Sequence, residues 1–390
     1  MHLASSACAV LLAAPSSPAS PRPFEPRTPT LPSAAADEGS WTDRLRFGGY
    51  GELHYNSQSG PGGEQLDLHR LVFYLGWDFA DWIVMHSETE LEHAFVKDIE
   101  DDDVGDGEIK VEQWHFDFLF SDSFNVRVGR YLQPLGIVNQ RHEPPLFFGV
   151  ERSLFDTTVI PTTWFSDGIG AFGSASESLN WELYFGSSLD GSRFDDVGGI
   201  RPGRQEERPG MNSPAVSGRL AWQAHANWAV GLSGFHGGLN NGDEGTLPGV
   251  DADLSIACLD LDGRLGRFEL RAAGAMEFID GAESIGGGVG ERIDGWMAQV
   301  AHRVLPDGWR EGRLAEADAA IFARYDWVDT QARLPEGAVE NPAARRDEIT
   351  VGASFWPVPD VVFKADYQWR DDDSAEGLPE RFNLGLGWSF

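Results

Sequence analysis

RFNLGLGWSF, from Arg381 to Phe390, is the stretch on which the reading of the fold turns. Phe382, Leu384, Leu386, Trp388 and Phe390 occupy every second position, and Asn383, Gly385, Gly387 and Ser389 fill the alternates. Successive side chains of an extended strand point to opposite faces, so this decapeptide has one wholly apolar face and one small, polar face. A strand of a soluble sandwich has the same alternation. The two readings part at the end, because the sequence stops on the aromatic itself with no polar tail to cover it. That favours a strand whose apolar face meets hydrocarbon.

The 390 residues are 12% aromatic and include 46 Gly, with 62 acidic against 30 basic residues and a net charge of −32. No apolar run approaches the roughly 20 residues of a membrane-spanning helix. A chain that crosses a bilayer without one must cross as closed strands, because every backbone polar group in lipid needs an internal partner. Strong acidity argues against nucleic acid as a partner. It decides less about a pore, since loops can carry the charge.

Leu3 to Ala14 has the length of a signal-peptide apolar core, and Ser33 to Ala36 offers a small-residue cleavage site, although Met1-His2 lacks the usual basic residue. Pro15 to Pro32 is Pro- and Ser-rich and cannot pair as a strand. The expected division is therefore a leader with a disordered segment over 1–40 and one barrel domain over 41–390. Cys8 falls in the leader, which leaves Cys258 as a lone thiol. Cys258 shares parity with Leu254 and Ile256 and is expected to face lipid.

From Leu45 onward alternating segments recur. Phe47, Leu53 and Tyr55 oppose Tyr50, Glu52 and His54; Leu71, Phe73, Leu75, Trp77 and Phe79 oppose Arg70, Tyr74 and Asp78. His86, Glu88, Glu90 and Glu92 share one face, and Trp114, Phe116, Phe118 and Phe120 oppose Gln113, His115 and Asp117. Four aromatics in line are an aggregation hazard in water and suited to lipid. The same rule finds further strands down to the terminal decapeptide, about 16 in all, an even number as bacterial single-chain barrels require. Short connections such as Ala80-Asp81-Trp82 and Ser121-Asp122-Ser123 alternate with long ones such as Gly191 to Met211, as periplasmic turns alternate with extracellular loops. Leu305 to Asp318 breaks that alternation, so two hidden strands there would make 18. The expected fold is an all-β, antiparallel, up-and-down transmembrane barrel.

Gln133 to Trp164 is the longest interruption and arrives in the third extracellular position. Its apolar, Pro-rich content suits a loop packed inside the barrel, where it would narrow a wide lumen. Arg141, His142, Glu143, Glu151 and Arg152 would then supply charges near the constriction. Arg70, Glu88, Glu90, Glu92 and Arg127 join them by strand parity. No catalytic, cofactor or metal site is expected.

GYGELHYN (Gly49 to Asn56), DLHRLVFYLGWDFADW (Asp67 to Trp82), HSETELEHAFV (His86 to Val96) and VRVGRYLQPLGIVNQRHEPPLFFGVER (Val126 to Arg152) resemble the phosphate-selective porin O/P-like group of Gram-negative outer-membrane porins. The terminal strand ending on Phe390 also resembles the closing strand by which such barrels are addressed to the barrel-insertion machinery. The resemblance implies an outer-membrane, usually trimeric, 16-stranded channel for small solutes or ions, with arginines along an anion path. The lumen parity of this chain places Arg271, Arg324, Lys364 and Arg370 among Asp117, Glu182, Glu269 and Glu277, which speaks for a weak charge preference.

Rival readings are weaker. Glu88, Glu90 and Glu92 lie about 7 Å apart along a strand and could relay cations, but a wetted face paired with arginines accounts for them. Asp98 to Glu108 could wrap Ca²⁺, though its spacing is not that of an EF-hand, and a solvated acidic loop is the simpler reading. A barrel with a structural or adhesive role and no transport is a second class. A hydrolase is a third, disfavoured because no G-x-S-x-G occurs and His142 beside Glu143 is the only adjacent base and carboxylate inside the suspected constriction.

Overall fold

The computed structural model describes residues 41–60, 63–93, 108–205, 208–241 and 249–390. The leader and the acidic loop over 97–107 lie outside the described residues.

Sixteen strands form one closed sheet: β1 (Leu45–Gln58), β2 (Glu64–Ala80), β3 (Ile83–Glu92), β4 (Glu108–Ser121), β5 (Phe124–Leu132), β6 (Phe165–Ser176), β7 (Leu179–Gly186), β8 (Ala215–His225), β9 (Trp228–Gly238), β10 (Asp253–Leu265), β11 (Phe268–Asp280), β12 (Arg292–Arg303), β13 (Asp318–Arg333), β14 (Arg345–Val358), β15 (Val361–Asp372) and β16 (Arg381–Ser389). Each pairs antiparallel with its neighbours in sequence, and β1 pairs with β16 from Tyr50–Ser389 to Gln58–Arg381. At this seam Gly49 and Phe390 exchange backbone hydrogen bonds of 3.0 and 2.9 Å. The Phe390 ring lies 6.1 Å from Phe47 and 6.3 Å from Phe73. Gly51 is required there, since a Cβ would come within 2.4 Å of the Trp388 indole. No described helix is long and apolar enough to cross a membrane.

The outer wall carries the large apolar side chains, among them Phe47, Trp114, Leu183, Leu232, Leu259 and Phe363, all exposed. Their exposure is the pattern of a surface built for hydrocarbon. Leu305 to Asp318, where two further strands were possible, contains none. Two 3₁₀ turns (Asp307–Trp309 and Gly312–Leu314) fill it, while β12 and β13 pair directly. The count is therefore 16.

Cys258 corrects the sequence reading. It is 1% exposed and lies with Leu254 and Ile256 on the inner side of β10, among residues of the interior apolar cluster, while Leu259 faces outward at 58%. Apolar alternation marks the lipid face only where the lumen is wet, and here the inner side of β10 meets loops that are themselves apolar.

Candidate pore constriction

The 32-residue interval between β5 and β6 crosses the barrel interior. Its contacts reach most of the wall. Gly136 N–H donates to Ser233 Oγ on β9 (3.3 Å), Gln140 donates to Glu182 on β7 (3.1 Å) and Ser354 on β14 donates to the Phe148 carbonyl (2.7 Å). Val150 N–H donates to Asp366 on β15 (2.6 Å), Lys364 donates to the Gly149 carbonyl (2.7 Å), and Phe155 N–H donates to Asp326 on β13 (3.2 Å). Within the loop, Asn139 holds the base by donating to the Gln133 and Trp164 carbonyls, both at 2.8 Å. A short helix, α1 (Leu154–Thr158), starts at Ser153, whose hydroxyl accepts from Asp156 N–H at 2.9 Å.

The two ends of the loop dock on an apolar sector. Leu135, Phe155, Val159, Ile160 and Trp164 pack with Phe235, Leu254, Ile256, Ile293, Met297 and Val328, and the Trp164 and Phe235 rings lie 5.0 Å apart. Leu189, Phe194, Ile200, Leu239 and Val289 from neighbouring loops join the same cluster, so one side of the lumen is filled.

The opposite sector, β1 to β5, is charged. Arg70 Nε lies 2.6 Å from Glu52, and its Nη1 donates to Glu90 at 3.0 Å. Arg127 forks onto Asp117 at 2.7 and 2.8 Å. Glu88 accepts from Gln113 and faces His142 Nε2 at 3.4 Å. Glu112, which also faces His142 Nε2 (3.5 Å), is fully buried. Glu151 reaches back to His54 (3.2 Å) and accepts from Asn56 (2.9 Å). Burial opposes ionisation of Glu151, but the hydrogen bond and charge of His54 hold its carboxyl down at about 2.

The ten expected site residues thus separate. Arg70, Glu88, Glu90, His142 and Glu151 meet in the charged sector, with Arg127 on the same wall. Glu92 lies at the end of β3, 3.8 Å from Lys110. Arg152 donates within the loop to Thr162 at 3.3 Å. Glu143 precedes the Pro144–Leu146 turn. Arg141 lines a small cleft on the far side with Arg264, Arg271 and Arg303 against Asp262 and Glu269.

Parity missed Glu112. It aligns with Trp114 and Phe116 and should face lipid. A bulge, where β3 pairing steps from Glu88–Gln113 to Thr89–Val111, turns it inward. A carboxylate on the apolar parity was the available signal. The buried Arg219–Asp260 fork (2.7 Å twice) across β8 and β10 was missed for the same reason as Cys258. Ser255 and His236 do form a hydrogen-bond pair at 2.9 Å, but their strand parity is that of Leu232 and Leu259, on the outer wall rather than in a solvated cleft.

No family model matches the chain. A protein of Aquifex aeolicus (strain VF5), described as an "Uncharacterized protein", is 31% identical over 363 residues, covering 89% of this chain and 80% of that one. Among solved structures, the anion-selective porin from Comamonas acidovorans superposes with a TM-score of 0.56 at 13% identity, over 89% of this chain and 99% of that one. The outer-membrane channel DcaP of Acinetobacter baumannii gives 0.56 at 11% (89% and 97%). Salmonella typhi OmpF, in complex with daunomycin, gives 0.57 at 10% (89% and 97%). At these identities the likeness is one of fold.

Proposed function

We propose that this chain, which belongs to one family with the Aquifex aeolicus protein, is an outer-membrane porin that passes small hydrophilic solutes or ions by passive diffusion. The observation that carries this reading is a closed 16-strand barrel with the Gln133–Trp164 loop laid across its interior against a charged wall. The porin-like fold of the solved neighbours supports it, as does the lipid-suited outer surface. A trimeric assembly is part of the proposal; a solved neighbour, OmpT of Vibrio cholerae, is described in a trimer form.

Selectivity in this reading is weak. An anion path of the phosphate-selective kind needs guanidinium groups not neutralised nearby, whereas Arg70, Arg127, Arg219, Arg303 and Arg324 each lie within 3.1 Å of a carboxylate. The test is conductance of the purified barrel in planar bilayers. Steady, small conductance is expected, with a reversal potential near zero in a salt gradient. A strong anion preference abolished by Arg127→Ala or Arg141→Ala would restore the phosphate-selective reading.

A second reading, a barrel with a structural or adhesive role, is favoured by the apolar cluster that fills one side of the lumen. A folded protein that inserts and conducts nothing would select it.

A further inference from the structure

We propose that Glu88, Glu112 and His142 form a binding site for a divalent first-row transition metal of the Zn²⁺ class, which pins the constriction loop to the barrel wall. This goes beyond the channel reading and does not depend on it.

Three observations meet at one point. Glu88 Oε1, Glu112 Oε2 and His142 Nε2 are each buried, each lacks a hydrogen-bond partner, and they face one another within 4.8 Å. The two carboxylate oxygens stand 3.4 and 3.5 Å from Nε2. A charge-assisted N–H···O bond closes to about 2.7–2.9 Å, so neither separation is that of an imidazolium donating a proton. Both match the edge of a tetrahedron with ligands about 2.1 Å from its centre, which is the geometry of bound Zn²⁺.

The atoms behind the donors are arranged as metal ligands need. His142 Nδ1–H donates to the Asn139 carbonyl at 3.0 Å, which leaves the Nε2 lone pair facing the carboxylates. Glu112 Oε1 accepts from the Thr163 hydroxyl at 2.5 Å, and Glu88 Oε2 accepts from Gln113. Every ligand is therefore oriented by a second group, and two of those groups, Asn139 and Thr163, belong to the loop itself. The β4 bulge that turns Glu112 inward has a role here, since regular pairing would put it in lipid.

Two other histidine–carboxylate groups lack this arrangement. Asp117, beside His86 and His115, is already forked by Arg127. His69 Nε2, in the group with Asp67 and His93, lies 2.8 Å from the Arg70 guanidinium.

The test uses the full barrel, folded in detergent, stripped with chelator and dialysed against Zn²⁺ alone or Co²⁺ alone. About one tightly held equivalent per chain is expected. Glu112→Gln, of nearly the same shape, and His142→Ala should abolish it, and Thr163→Val should weaken it about 10–100-fold. Bound Co²⁺ should show the intense visible bands of a tetrahedral site, which a merely structural role for these side chains would not produce. A heat-dependent gel shift reports that each variant is folded. Wild-type barrel that holds no Zn²⁺, or that keeps its equivalent in Glu112→Gln and loses it in His93→Ala, would overturn the proposal.

Discussion

One loop meets two unlike walls. On the β1–β5 side, Gln133–Trp164 is held by directional contacts to buried charges, such as Glu151 with His54 and the Thr163 hydroxyl with Glu112. Across the lumen the same loop lays Phe155, Val159, Ile160 and Trp164 into an apolar cluster with β9, β10, β12 and β13. Burial of apolar surface is non-directional and accounts for most of the docking free energy. Buried charge pairs return little net stability after desolvation, but their geometry admits only one arrangement. The apolar wall should therefore decide whether the loop stays down, and the charged wall where it sits.

Changes to the apolar wall should have the largest effect. Trp164→Ala leaves a cavity against Phe235 and is expected to cost about 3–5 kcal/mol, read by urea titration in micelles and by proteolysis of the loop. A cost below that of the charged-wall changes would reverse the assignment of roles.

Asp156 sits where the two kinds of contact meet, and its pH response sharpens the comparison. Burial raises its carboxyl to about 6; the Ser153 hydroxyl opposes this, Asp326 adds to it, and Arg271 and Arg324 offset part. The folded-state value exceeds the ordinary value of 3.8, so the protonated acid favours the docked loop. That contribution, on the order of 3 kcal/mol, is complete below about pH 4 and lost as pH rises through 6. Hydrogen exchange over α1 should accelerate across that window, and Asp156→Asn should flatten the dependence. On the charged wall, Asn56→Ala removes a hydrogen bond to the ionised Glu151 and should cost about 1.5–3 kcal/mol, seen as faster exchange over residues 146–153.

How far the sequence carried differs between the walls in the same way. The 16 strands were legible because lipid imposes period two on the outer face, and most strand boundaries fall within a few residues of the alternation. The interior course of the loop was legible from its apolar, Pro-rich content. Glu112 and Cys258 were not, because parity counts residues and is blind both to a bulge and to an interior that is itself apolar. In each case an acid was the clue. Glu112 stands in line with Trp114, and Asp260 stands in line with Cys258, and neither carboxylate belongs in hydrocarbon.

The smallest expected effect lies at the start of α1. Ser153 is its N-cap, with Oγ accepting from Asp156 N–H at 2.9 Å and donating to Asp156 Oδ2 at 2.7 Å. Ser153→Ala should cost about 1 kcal/mol, confined to local opening of 153–158 and not to barrel unfolding. Because the hydroxyl also stabilises ionised Asp156, its loss should move the pH midpoint of α1 exchange upward. A downward shift would show that the Ser153 hydroxyl serves the protonated acid, and burial and Asp326 together would then carry only the remainder of the pH dependence of loop docking.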